Sequence, residues 1–179
     1  MAQSFWRSLD LGYLGDTHLN LGEYAEAKAR YEESLLTLEA LVPSWQNVLK
    51  LKLARANALD NGSDVPLDDL REWRNANRLR LFEGLTARLI AETLLAHEEP
   101  DIDEANRWLT VAMAADRSNR LKLDLAHDHA CFANLHRHNA NREEMLNSLT
   151  LARDLFAECG AQGFVQEMNR RTVLGTAPP

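Results

Sequence analysis

Four histidines crowd one stretch of this chain, His127, His129, His136 and His138. Clustered imidazoles are common raw material for metal binding and for proton transfer near neutral pH. Their spacing works against both. On a helix, His127 and His129 point to opposite faces, and seven residues place His129 and His136 about 10 Å apart along the axis. Helical metal pairs sit three or four residues apart on one face. Packing or a solvated surface fits these spacings better than coordination. Cys131 lies in the same stretch, but Asn134 and Leu135 occupy the positions where an activating histidine would stand. It reads as a structural thiol rather than a nucleophile.

Two charged clusters invite similar scrutiny. Arg71, Arg74 and Arg78 share one helix face if a helix runs through Asn77, and such a stripe suits a carboxylate or phosphate. Asp68, Asp69 and Glu72 stand nearby to compensate it, which favours a solvated face. The run Glu98-Glu99-Pro100-Asp101-Ile102-Asp103-Glu104 is acidic enough to suggest calcium. It lacks the ligand spacing and internal glycine of a calcium loop, and helix capping explains it better. There is no Gly-rich phosphate loop, nucleophile elbow or dinucleotide fingerprint. No catalytic residue, metal or cofactor is expected.

The bulk properties narrow the class. The chain has 179 residues, 45% apolar and 26% charged, which suits one folded domain. A net charge of −7 argues against general nucleic-acid binding and against an anionic membrane surface. No apolar run approaches the ~20 residues needed to span a bilayer. Two cysteines, Cys131 and Cys159, imply no disulfide framework, so a cytoplasmic setting is expected. Charge is uneven: residues 1–42 carry a net −4, 45–80 a net +2 and 81–117 a net −5.

Helices should hold these groups in place. Leu, Ala, Glu and Arg dominate, and no stretch alternates as a strand does. A first helix is expected from Ser4 to about Asn20, with Gly22 breaking it. A second carries Tyr24, Ala27, Tyr31, Leu35 and Leu38 as one stripe. A third covers Trp45–Ala58, followed by a loop at Asp60-Asn61-Gly62-Ser63-Asp64. A short helix should open at Pro66 and reach about Asn77, and a longer one should run from Arg78 to His97. Asp101 with Glu104, and Asn141 with Glu144, read as capping-box starts for two more helices, with a helix over Arg120–His138 between them. Gly160 ends the last long helix, and a terminal helix should cover Phe164 to about Val173.

A repeat organises these helices. Ala27, Tyr31 and Ser34 have the spacing +4 and +7; Ala105, Leu109 and Ala112 repeat it, and Met145, Leu149 and Ala152 repeat it again. The intervals imply a period of about 39–40 residues, with one degenerate unit at 45–77. Small residues at the ends of such a triplet let a partner helix approach, and the large one fills the gap. A lone hairpin cannot bury that face; stacked hairpins can.

The first unit, with Leu14-Gly15, Gly22, Tyr24, Ala27 and Tyr31 in order, resembles the tetratricopeptide repeat family. His18 stands where that family has an aromatic residue. In the last unit Phe132, Ala133 and His136 align with Leu14, Gly15 and His18, and Ala140 aligns with Gly22. The segment 154–161 is similar to sensor arms of large bacterial signalling proteins. The resemblance implies an all-α, right-handed superhelix of about four hairpins over residues 4–42, 44–77, 78–117 and 119–159, a cap at 162–174 and a disordered tail at 175–179. It implies a non-enzymatic scaffold that binds a peptide or partner helix in a concave groove, as a sensing or regulatory arm.

By repeat position the groove would present Asp16 and Asn20 from unit one, Arg88 and Glu92 from unit three, and His127, Asn134 and Arg137 from unit four. His129 and His136 would face the partner helix. The basic clamp of some family members would want Lys and Asn where Gly12 and Asp16 stand, so tail binding of that kind is not expected. Phe5 and Trp6 lie on a first helix with no preceding hairpin, which suggests a homo-oligomer contact with another copy of the chain, or a contact with an upstream part of a longer protein. A metal- or His-dependent enzyme built on 127–138 and a purely structural oligomerisation module are the alternatives.

Overall fold

The computed structural model describes residues 2–37, 43–62 and 65–176. Among them the chain is all-helical, with no strand. In order, the helices are α1 (Ala2–Asn20), α2 (Tyr24–Thr37), α3 (Pro43–Asn61), α4 (Leu67–Asn75), α5 (Glu83–Ala96), α6 (Ile102–Asn119), α7 (Lys122–His138), α8 (Arg142–Glu158) and α9 (Gln162–Thr176). Leu38 at the end of the expected stripe, Ser63 and Asp64 of the expected loop, and the tail residues 177–179 lie outside the described residues. Helix α9 continues through Thr176, so residues 175 and 176 are helical rather than part of a tail.

Helices pack chiefly on their neighbours along the chain: α1 on α2, α5 on α6, α7 on α8, with α3 bridging α2 and α5 and α9 closing on α8. The small–large–small triplets form these seams. Ala27, Tyr31, Ser34, Ala105, Leu109, Ala112, Leu149 and Ala152 are all essentially inaccessible, and Met145 nearly so. Gly15 lies flat against the Tyr31 ring, where a Cβ would collide with it. Three apolar clusters follow in sequence. Leu19, Tyr31, Trp45, Leu49 and Ile90 centre the first, Leu95, Leu109 and Leu135 the second, and Leu149, Phe156 and Met168 the third.

The turns repeat too. Gly22, Arg120, Ala140 and Gly160 all adopt left-handed backbone, with φ of 78°, 59°, 53° and 71°. Each closes the same motif. At Ala140, its N–H donates to the Arg137 carbonyl, and the Asn141 N–H donates to the His136 carbonyl. These are the paired bonds of a Schellman ending, which favours glycine because a Cβ crowds the carbonyl. Ala140→Gly should therefore raise stability by about 1 kcal/mol; urea denaturation checks it, and a loss would contradict the strain.

Three expectations change. The loop expected from Asp60 starts later, because α3 runs on through Asn61. The helix expected over Arg78–His97 begins only at Glu83, after a short 3-10 turn at Arg80–Phe82. Asn77 is the reason: its side chain donates to the Leu79 carbonyl (2.9 Å) and accepts from the Leu79 N–H (3.0 Å). An Asx-type turn of this kind competes with helix. The capping boxes are half-formed. Asp101 and Asn141 accept from the Glu104 and Glu144 N–H groups. The Glu104 carboxylate, however, is buried and takes Arg71 (2.7 Å), Arg107 (2.6 Å) and the Trp108 indole N–H (2.9 Å). Burial would raise its pKa, but those three donors outweigh it and hold it low. Arg71 of the expected anion stripe is thus a strut from α4 to α6, paired also with Asp68. Arg74 lies over the Trp108 ring.

Candidate functional site

Helices α1, α3, α5 and α7, one from each hairpin, carry a series of polar pairs, termed the strip. On α1, Asp16 accepts from the Tyr31 hydroxyl (2.8 Å) and from Lys52 of α3 (2.6 Å). Lys52 is itself buried and lies over the rings of Tyr13 and Trp45. Arg55, a turn further along α3, pairs with Glu92 of α5 at 3.2 Å. Burial and then the Asp16 carboxylate push the Tyr31 phenol up, and the charges of Arg55 and Glu92 also act on it, so the two pairs adjoin. Asn20 is exposed at the last turn of α1.

The strip continues into the junction of α5, α6 and α7. Arg88 of α5 is buried and meets three aspartates. Its Nη1 lies 3.0 Å from Asp128 and 3.7 Å from Asp116, and its Nη2 lies 3.0 Å from Asp124. It also donates to the Asp124 carbonyl at 2.9 Å. Burial would depress the guanidinium, but Asp128, Glu92 and Asp124 outweigh it and keep it charged. Arg88 is therefore not a groove residue: a long side chain at that register position bends inward, because α6 and α7 offer it three acids.

One cation cannot satisfy three carboxylates. Both Asp116 oxygens and Asp128 Oδ2 are buried without a donor from elsewhere in the protein. Gly84 faces Asp116, where any Cβ would collide with the carboxyl. Two ionised carboxylates cannot donate to each other, whereas one proton shared between them supplies the missing donor. Burial first, then the Asp128 charge, raises Asp116 to about 8, and burial also raises Asp128. The upward shifts and the unpartnered oxygens both argue for one proton shared by the pair.

At the far end of the strip stand Asn134 and Arg137 of α7, joined by a 2.6 Å bond from Arg137 Nη2 to Asn134 Oδ1. Arg171 of α9 reaches across to donate to the Ala130 carbonyl at 3.3 Å. His127, expected to face the groove, instead packs edge-on against Phe156 (4.9 Å) and Phe164 (4.7 Å), which stack on each other. Burial, then Arg88, lowers its pKa to about 3, so it is a neutral filler between α7, α8 and α9. The position one turn from the helix start is covered by the closing helix, which a count along the repeat does not show.

The other reactive side chains are quiet. His129 is buried and His138 exposed; burial lowers both, with Arg117 and Arg137 respectively adding to it. Burial, then Glu92, raises the Cys131 thiol well above its usual range, which removes the thiolate needed for nucleophilic chemistry. Among the described residues no three His, Cys, Asp or Glu side chains stand together as a metal site. Also among them, no helix is long and apolar enough to cross a membrane. Trp6 is 63% exposed on α1, with Phe5 tilted beside it and packed on the first core.

Of the residues expected in the groove, Asn20 and Arg137 are exposed and Asp16, Glu92 and Asn134 half-buried, while Arg88 is buried and His127 is packed among aromatic rings; Lys52, Arg55 and Arg171 are not among those expected. The first two lie in the degenerate unit, where no triplet sets the register. The four-residue spacing of Asp124 and Asp128, on one face of α7, was the available sign of a buried cation partner. The chain matches no family model, no curated protein and no solved structure.

Proposed function

We propose that this chain is a short tetratricopeptide-like solenoid acting as a non-enzymatic scaffold, which holds a peptide or partner helix along the strip carried by α1, α3, α5 and α7. The observation behind this reading is the strip itself. Its polar groups come one helix per hairpin, from Asp16 to Arg137, while the apolar side chains close the seams between hairpins. An elongated, mixed-polarity face suits an extended ligand better than a small molecule, which would favour a deep apolar cavity. In this reading the buried Arg88 cluster fixes the angle between hairpins, and Asp16, Glu92, Asn134 and Arg137 meet the partner. The likeness of residues 154–161 to bacterial sensor arms fits a regulatory role.

Affinity capture with the intact protein tests the reading. Asn134→Asp combined with Arg137→Glu should remove a partner held by the wild type, and Glu26→Lys combined with Arg30→Glu on α2 should keep it. Loss in both variants, or in neither, would contradict binding along the strip.

A further inference from the structure

Every cation of the strip but Arg137 has an acid of its own, and Arg171 of the adjoining α9 resembles Arg137 in this. Lys52 has Asp16, Arg55 has Glu92, and Arg88 has three aspartates. Arg137 and Arg171 have none: among the described residues no carboxylate forms an ion pair with either. Arg137 spends one N–H on Asn134, folding back along α7 toward its start. Arg171 spends one on the Ala130 carbonyl, a turn before Asn134. Two guanidinium groups from different helices thus meet α7 one turn apart, Arg171 at the Ala130 carbonyl and Arg137 at the Asn134 amide. A guanidinium has five N–H donors in a planar fork, and one bond of each is made among the described residues, which leaves both forks donors for an incoming acceptor.

We infer that Arg137 and Arg171, with Asn134 beside Arg137, form an oxyanion-binding site at the α7–α9 end of the strip that receives carboxylate side chains of an acidic peptide segment.

A bland explanation covers half of this arrangement. His136, Arg137 and His138 occupy the last turn of α7, where basic residues favour the helix dipole. It does not cover Arg171, which comes from α9 and points at mid-helix backbone. The nearest acid on α9, Glu167, is held by Arg170 through two 2.8 Å bonds. Burial and then the Arg137 charge lower the Arg171 pKa, and the Glu167 carboxylate, already held by Arg170, offsets them only in part. An incoming carboxylate would relieve that repulsion and could take paired N–H groups from either fork. The rest of the strip is internally neutralised, so a bound peptide would be anchored here by charge and would lie along the remainder by shape and neutral hydrogen bonds.

The ligand's being a peptide rests on the scaffold reading above. The test uses a fluorescein-labelled hexaglutamate peptide and the full chain, read by anisotropy at low salt. Saturable binding is expected, weakened about tenfold by Arg137→Gln and by Arg171→Gln, little changed by Arg78→Gln on a distant surface, and reduced as salt rises. Arg137 is exposed, so its variant should melt like the wild type. If Arg171→Gln fails to fold, Arg137→Gln alone decides the matter. No saturable binding, or equal weakening by Arg78→Gln, would overturn the site. Tighter binding of inorganic phosphate, lost in the same variants, would overturn its assignment to carboxylates. A partner captured through the strip but indifferent to both arginines would sink this inference and leave the scaffold reading standing.

Discussion

Replacing Arg88 by Leu should destabilise the protein by about 3–5 kcal/mol at pH 7, a large share of the net stability of a domain this size. The substitution leaves Asp128 buried beside Asp116 with no cation, and Asp124 loses its 3.0 Å partner. Only protonation can relieve such a site, so the variant should recover much of its loss as pH falls toward 4. Asp116→Asn should do the opposite. An amide supplies permanently the donor that the shared proton now provides. The sign follows from linkage. Asp116 is raised from its ordinary value to about 8, so the folded state holds a proton that the unfolded state gives up. Its contribution is complete below about pH 4 and is lost as pH climbs to about 8, at up to about 1.4 kcal/mol per unit. The wild type minus Asp116→Asn difference in urea midpoint should therefore widen steadily across that window and flatten above it. A difference independent of pH would show that the pair holds no proton.

The second large effect belongs to the first seam. Tyr31→Ala should cost about 3–5 kcal/mol, because the ring is fully buried between α1 and α2. Gly15→Ala alone should cost about 1–3 kcal/mol by overpacking against that ring. Together they should cost less than their sum, since the truncated side chain leaves room for the new methyl. A double-mutant cycle by chemical denaturation measures the coupling, and strict additivity would mean the two residues do not meet. Tyr31→Phe isolates the hydroxyl bond to Asp16 and should cost about 1.5–3 kcal/mol, the range for a bond to a charged acceptor.

These effects mark what was legible in the sequence. Seams depend on residue size at fixed spacing, and size is written in the chain. The triplets at Ala27, Ala105 and Met145 are buried as their spacing required. Caps at Asp101 and Asn141 were legible for the same reason, because capping is local. Side-chain direction at the strip was not. Arg88 and Glu92 sit one turn apart on α5, yet one bends into the core and the other stays half-buried, paired with Arg55. What separates them is the set of acids that α6 and α7 bring near, and that is a long-range fact. His127 was misplaced because α9 covers it, and the repeat says nothing about its own closing helix. Asn77 interrupts an apparent helix through two bonds to one neighbour, which a periodicity count passes over.

Site-specific photo-crosslinking puts the central claim to its most direct test. A photoreactive residue would be placed in turn at Asp16, Glu92 and Asn134 on the strip, and at Glu32, Asn106 and Leu151 on the second helices, all in the otherwise intact protein. The account predicts adducts to one bound partner from the first three positions and none from the last three. Adducts from α2, α6 and α8 instead, or from all six alike, would contradict it.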